Sequence, residues 1–170
     1  MVVAWTVRSR WFAAEAHWSI SIDQAMNADP RTLGWLNRAL NHELSAVQQY
    51  QAQSVLARIW GEALLSEQLQ REVVEELRHA QRLMEHLIFL GVAPNAGNLL
   101  PARLGRTVEQ LLLANQQMEL EAVRLYQEAL VHANRIRDRD FADLIQSILA
   151  DEKAHLLSLN QSIEERYHHV

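Results

Sequence analysis

Apolar residues recur every three or four positions in four long runs after residue 29, the period of helices buried along one face. Asp29-Pro30 opens the first run, with Asp as N-cap and Pro at the first helical position, where its missing N–H costs nothing. Leu33, Leu36, Leu40, Leu44, Val47 and Tyr50 then carry the stripe to about Trp60, just before Gly61. A second helix is predicted from about Glu62 to Leu90 on Leu65, Leu69, Val73, Ala80, Leu83, Leu87 and Ile88. Gly91 ends it and Pro94 follows, the usual C-terminal punctuation. Thr107 with Gln110 resembles a capping box for a third helix, which continues through Met118, Ala122, Leu125 and Tyr126 to about Asn134. A charged turn, RIRDRD at 135–140, leads into a fourth with Phe141, Leu144, Ile148, Leu149, Leu156 and Leu159 inward.

Residues 91–106 hold three of the five glycines and two of the three prolines, so this is the one long linker between helices. Its sixteen residues reach about 50 Å when extended, at roughly 3.3 Å per residue. A helix of the length predicted here is about 42 Å long at a rise of roughly 1.5 Å per residue. The linker is thus long enough to return along the whole bundle, which allows the third helix to begin at the end where the second began. The expectation is an all-α four-helix bundle with a long crossover between its second and third helices.

A single offset of seventy-six residues connects the chemically loaded positions. It pairs Glu43 with Glu119, Tyr50 with Tyr126, Glu76 with Glu152 and His79 with His155. The segments ELSAVQQYQ (43–51) and ELEAVRLYQ (119–127) agree at six of nine positions, so the bundle is an internal two-fold repeat. Each half carries a Glu, a Tyr two turns later on the same face, and a Glu-x-x-His pair one turn apart. Glu43 and Glu119 interrupt apolar stripes, and buried unpaired carboxylates cost several kcal/mol each. Two divalent cations would neutralise them, and a donor set of carboxylate and imidazole suits iron or manganese, with zinc possible. A lone Glu-x-x-His means little, since about 0.7 is expected by chance from this composition and a third one, Glu165 to His168, lacks the upstream Glu. Tyr50 and Tyr126 read either as hydrogen-bonded core tyrosines or as groups supporting the ligands. His42, His86 and His132 have no symmetric partners and read as ordinary surface or edge histidines.

A net charge of −5 argues against a nucleic-acid partner. Zero cysteines exclude thiolate metal sites and disulfides within the chain and make the cytoplasm the expected compartment. Residues 1–25 read as a separate Trp-containing N-terminal extension to the bundle of residues 26–170. Trp5, Trp11, Trp18 and Phe12 lie near one helical face, interrupted by Arg8 and Arg10. Three readings stand: a segment docking a protein or membrane surface, a cap on the bundle's own apolar surface, or a native start at Met26.

The segments WLNRALNHELSAVQQY, EELRHAQRLMEHLIFLG, MELEAVRLYQEA and DEKAH, in this order and spacing, resemble the bacterioferritin branch of the ferritin-like superfamily over residues 30–160. The resemblance implies a ferritin-like di-iron protein with two Fe ions per chain. Glu43 and Glu119 would be terminal ligands, Glu76 and Glu152 bridges, and His79 and His155 would each cap one ion. It also implies a homo-oligomer, a dimer at least. Members of the family begin seventeen residues before the first ligand Glu, the distance of Met26 from Glu43. Three departures matter. Leu77 stands where haem-binding members place a ligating Met, so no haem of that type is expected. The fifteen residues after His155 leave little room for the fifth helix that closes the family's hollow shell. Arg71 replaces a His at the outer entrance to the site.

The leading expectation is a ferroxidase that oxidises Fe(II) with dioxygen or peroxide in iron storage or detoxification. Its alternatives are a rubrerythrin-like peroxidase with retained metals, or a non-catalytic metal-binding assembly protein docking through its N-terminal segment.

Overall fold

Asp29 accepts a hydrogen bond from the Thr32 backbone N–H at 2.9 Å. From this cap α1 runs over Pro30–Ile59 in the computed structural model of the chain, which describes residues 28–168. Helices α2 (Ala63–Phe89), α3 (Val108–Ile136) and α4 (Arg139–His168) follow, with no strand among the described residues. The extension expected over residues 1–25 lies outside them. Among the described residues no helix is long and apolar enough to cross a membrane.

The repeat extends to the helix ends. After α1, Gly61 takes φ 83°, and the Glu62 N–H reaches the Ala57 carbonyl at 2.9 Å. Seventy-six residues on, Arg137 takes φ 60°, and the Asp138 N–H reaches the Ala133 carbonyl at 3.0 Å. A left-handed non-glycine residue costs roughly 1 kcal/mol, so the symmetric turn is kept here without the residue that favours it. The turn is shorter than the six residues its charge suggested. Arg135 and Ile136 remain helical, and Asp138 accepts from the Phe141 N–H at 3.0 Å to start α4.

The crossover is fastened to α1 by a ladder of polar residues spaced one turn apart. Asn41 donates to the Asn95 carbonyl at 2.9 Å and accepts from the Asn98 N–H at 2.8 Å. Ser45 Oγ accepts from the Leu100 N–H at 2.9 Å, and Gln49 Oε1 from the Arg103 N–H at 3.1 Å. Gln53 donates to the Arg103 carbonyl at 2.8 Å. The crossover thus travels in the same direction as α1, and α3 starts at the end of the bundle where α2 started. These side chains satisfy backbone groups of a segment with no secondary structure of its own.

The core divides into two apolar clusters. One joins Leu36, Leu40, Leu83, Leu87, Tyr126, Phe141, Ile145 and Ile148; the other joins Tyr50, Leu65, Leu69, Leu111, Leu112 and Met118. Between them in the sequence of every helix comes a buried charged residue: Glu43, Glu76, Glu119 or Glu152. His132 departs from its expected surface position. It is 5% exposed, and its Nε2 lies 2.9 Å from the α1 cap Asp29, tying α3 to the start of α1.

Replacing Asn41 with Ala removes two anchors of the crossover, each worth about 0.5–1.5 kcal/mol net. The expected result is a stability loss of about 1–3 kcal/mol in denaturant melts, with faster amide exchange at Asn98. Unchanged exchange there would show that the ladder does not hold the crossover.

Candidate metal centre

Each helix delivers one carboxylate to the polar layer because each Glu takes an inward position on its own apolar stripe. Glu43 follows Leu40 by three positions on α1, and Glu119 precedes Ala122 by three on α3. Glu76 and His79 share a face of α2, as Glu152 and His155 do on α4. All four carboxylates are at most 2% exposed.

The six groups form two overlapping quartets. Glu43, Glu76, His79 and Glu152 offer ligand atoms all within 4.8 Å of one another, and so do Glu76, Glu119, Glu152 and His155. Glu76 and Glu152 belong to both. His79 Nδ1 lies 2.9 Å from Glu152 Oε1, 3.2 Å from Glu76 Oε2 and 3.5 Å from Glu43 Oε2. His155 Nδ1 lies 3.4 Å from Glu76 Oε1 and 3.9 Å from both Glu119 Oε2 and Glu152 Oε2. The two rings face each other with centroids 6.0 Å apart and 28° between planes.

Hydrogen bonding repeats with the same symmetry. The Tyr50 hydroxyl donates to Glu119 Oε1, and the Tyr126 hydroxyl to Glu43 Oε1. Each tyrosine crosses between α1 and α3 and orients a carboxylate of the other half. Burial and the adjoining carboxylate raise both phenols well above their ordinary value, so they stay neutral donors.

One oxygen of each Glu is left over. Glu43 Oε2, Glu76 Oε1, Glu119 Oε2 and Glu152 Oε1 are sealed from solvent without an aligned hydrogen bond, as is His155 Nδ1, and their nearest polar neighbours are the ion-pair contacts of the two imidazoles. Four orphaned acceptors converging on one interior are costly on their own. Two hard or borderline cations fit this set, taking oxygen and imidazole donors.

Without cations the layer holds protons. Burial, then the charge of Glu43, pushes Glu76 up to about 8 and Glu152 up to about 7. Burial and the charge of Glu152 raise Glu119 well above the carboxylate range. Burial also works to raise Glu43, but the adjoining His79 and Glu76 outweigh it and bring this group down to about 2. For His79 burial favours the neutral ring, yet Glu152, Glu43 and Glu76 together raise it. His155 is raised to about 10, because Glu76 and Glu119 outweigh its burial.

Two residues escaped the sequence reading. His79 Nε2 lies 3.3 Å from Asp151 Oδ2, and His155 Nε2 lies 2.9 Å from Glu75 Oε2. Each imidazole is thus held on its far side by a carboxylate from the opposite helix, which fixes the ring with Nδ1 inward. Glu75 and Asp151 are themselves seventy-six residues apart, so the repeat that revealed the other six contained this pair as well. Leu77 lies on the outer surface at 46% exposure and brings no ligating atom.

Comparison with known proteins agrees with this architecture. Residues 34–166 match the family model of the ferritin-like domain. The chain is 32% identical over 149 residues to bacterioferritin of Brucella melitensis, covering 84% of this chain and 92% of that one. It is 31% identical over 139 residues to bacterioferritin of Mycolicibacterium paratuberculosis, covering 82% and 87%. A solved structure of Rhodobacter capsulatus bacterioferritin, with a metal-free dinuclear site and a haem iron, superposes with a TM-score of 0.79 at 30% identity over 81% of this chain and 86% of that one. With residues 34–166 matched by the ferritin-like domain and bacterioferritins more than 30% identical over more than four-fifths of its length, the chain belongs to the ferritin-like family, on its bacterioferritin branch.

Proposed function

We propose that this protein is a ferroxidase, oxidising Fe(II) to Fe(III) with dioxygen or peroxide at the centre between its four helices, in iron storage or detoxification. The observation that carries the reading is the sharing of Glu76 and Glu152 by two four-residue clusters, which suits a pair of ions bridged by two carboxylates. Glu43 and His79 complete one position, Glu119 and His155 the other. Each ferrous ion supplies one electron, so a pair reduces dioxygen to hydrogen peroxide or peroxide to water, with protons taken up.

The chain's own part is positional and protonic. Tyr50 and Tyr126 hold Glu119 and Glu43 with one oxygen inward. Asp151 and Glu75 hold the two imidazoles. The apolar clusters on either side bury the four carboxylates, which strengthens the charge interactions among them. Protons displaced from Glu76, Glu119 and Glu152 when cations enter are the near source for reducing the oxidant. A homo-oligomer, a dimer at least, follows from the resemblance to bacterioferritins.

Anaerobic titration of the metal-free protein with ferrous ion is expected to saturate at two ions per chain and to give prompt oxidation when oxygen is admitted. Native mass on the same sample distinguishes a dimer from a closed shell. Glu76→Ala should abolish oxidation while circular dichroism stays helical, and undiminished turnover in this variant refutes its bridging role.

A pH dependence follows from the proton load. Glu76, Glu119 and Glu152 are raised from 4.5, and His79 and His155 from 6.5. The folded metal-free protein therefore binds more protons than the unfolded chain above about pH 5, and its stability falls as pH rises. Glu43 is ionised in both states across that range and adds no slope. The metal-free Tm should be lower at about pH 8 than at about pH 6, and Zn(II) should raise it more at the higher pH because cations replace the protons. A metal-free Tm that rises over this interval contradicts the proton load.

A further inference from the structure

Two helix ends meet around a cavity of about 670 Å³ that takes no part in the buried layer. The first turns of α1 contribute Arg31, Trp35 and Arg38 to its wall, and the closing turns of α3 contribute Glu128, His132 and Arg135. A chain with a net charge of −5 thus gathers three guanidinium groups and one carboxylate around a single hollow. The seventy-six-residue repeat does not require them. The counterparts of Arg31, Arg38, Glu128 and Arg135 are Thr107, Ala114, Ala52 and Ile59. Every one of these charged positions is uncharged in the other half.

Two of the arginines are braced by contacts that leave their charge unmatched. Arg38 Cζ sits 3.7 Å from the centroid of the Trp35 ring, a cation–π contact that uses no hydrogen-bond acceptor. Arg135 Nη2 lies 3.2 Å from His132 Nδ1. Arginine only donates, so Nδ1 is the accepting nitrogen and Nε2 carries the proton, which it gives to Asp29 Oδ2 at 2.9 Å. The buried imidazole therefore positions Arg135, and Asp29 is engaged by His132 and the Thr32 N–H. Among the described residues the arginine ion pairs are those of Arg82, Arg103 and Arg166. Arg31, Arg38 and Arg135 have none, and Glu128 in the same wall pairs with none of them. Exposed guanidinium groups without counter-ions around one hollow make a seat for an anion, and their planar forks match phosphate oxygens in pairs. Beside them the Trp35 ring and Val131, which is 70% exposed, form an apolar wall. The volume is in the range that holds small organic ligands.

We propose that this cavity binds a phosphate-bearing small molecule, with Arg31, Arg38 and Arg135 on the phosphate and Trp35 and Val131 against the group that the phosphate carries. Glu128 opposes the anion and limits its affinity. The proposal does not depend on the dinuclear reading, because no residue of this wall belongs to either buried quartet.

The test is calorimetric titration of the whole metal-free protein with two probes, inorganic phosphate and adenosine monophosphate. Saturable binding of one equivalent per chain is expected. Tighter binding of the nucleotide identifies an organic phosphate as the ligand, and equal binding identifies free phosphate. Arg38→Gln and Arg135→Gln should each weaken binding about tenfold, the effect of one lost hydrogen bond to a charged group. Glu128→Gln, which removes the one opposing charge, should strengthen it. Arg166→Gln, at the opposite end of the bundle beside Glu62, should leave it unchanged. No saturable binding of either probe at millimolar concentration overturns the site. So does unchanged affinity in Arg38→Gln and Arg135→Gln, or a loss as large in Arg166→Gln, which would mark only a general response to charge.

Discussion

Four carboxylates at most 2% exposed in the middle of a helical bundle are the constraint around which the rest of this molecule is arranged. Hydrophobic side chains at these positions would pack without penalty, whereas buried unpaired ions cost several kcal/mol each. The bundle meets that cost with direction as well as charge. One oxygen of Glu43 and one of Glu119 is bound by a tyrosine of the opposite half, and the imidazoles are backed by Asp151 and Glu75. What remains is one orphaned oxygen per carboxylate, aimed inward. An apolar core divided in two by such a layer makes sense as a site kept dry for cations.

Much of this was legible in the residues. The helices were marked by Asp29-Pro30, Gly61, Gly91 and Thr107, each acting through local backbone chemistry that survives folding unchanged. The length of residues 91–106 allowed the crossover direction that the polar row on α1 then shows. Glu43, Glu76, His79, Glu119, Glu152 and His155 were found by the offset, and coordinates bring all six into one layer. For Tyr50 and Tyr126 the two readings merge: both are core tyrosines, and both hold a carboxylate of the layer.

What was missed depends on relations that one helix cannot express. Glu75 and Asp151 carried no mark of their own in the sequence, and their role appears only when the opposite helix places an imidazole beside them. Asn41, Ser45, Gln49 and Gln53 form a regular polar row, but nothing local says that a strandless segment lies on it. His132 lacks a counterpart in the other half, and its burial comes from the Asp29 cap that reaches it across 103 residues. The repeat is also imperfect: Ile148 stands opposite Glu72, and Arg82 opposite Ser158.

Anomalous diffraction from crystals soaked in Zn(II) or anaerobic Fe(II) tests the central claim most directly. Two peaks per chain are expected between Glu76 and Glu152, one flanked by Glu43 and His79 and the other by Glu119 and His155. A single peak in that layer, or peaks confined to surface carboxylates with the four buried ones unliganded, would contradict it.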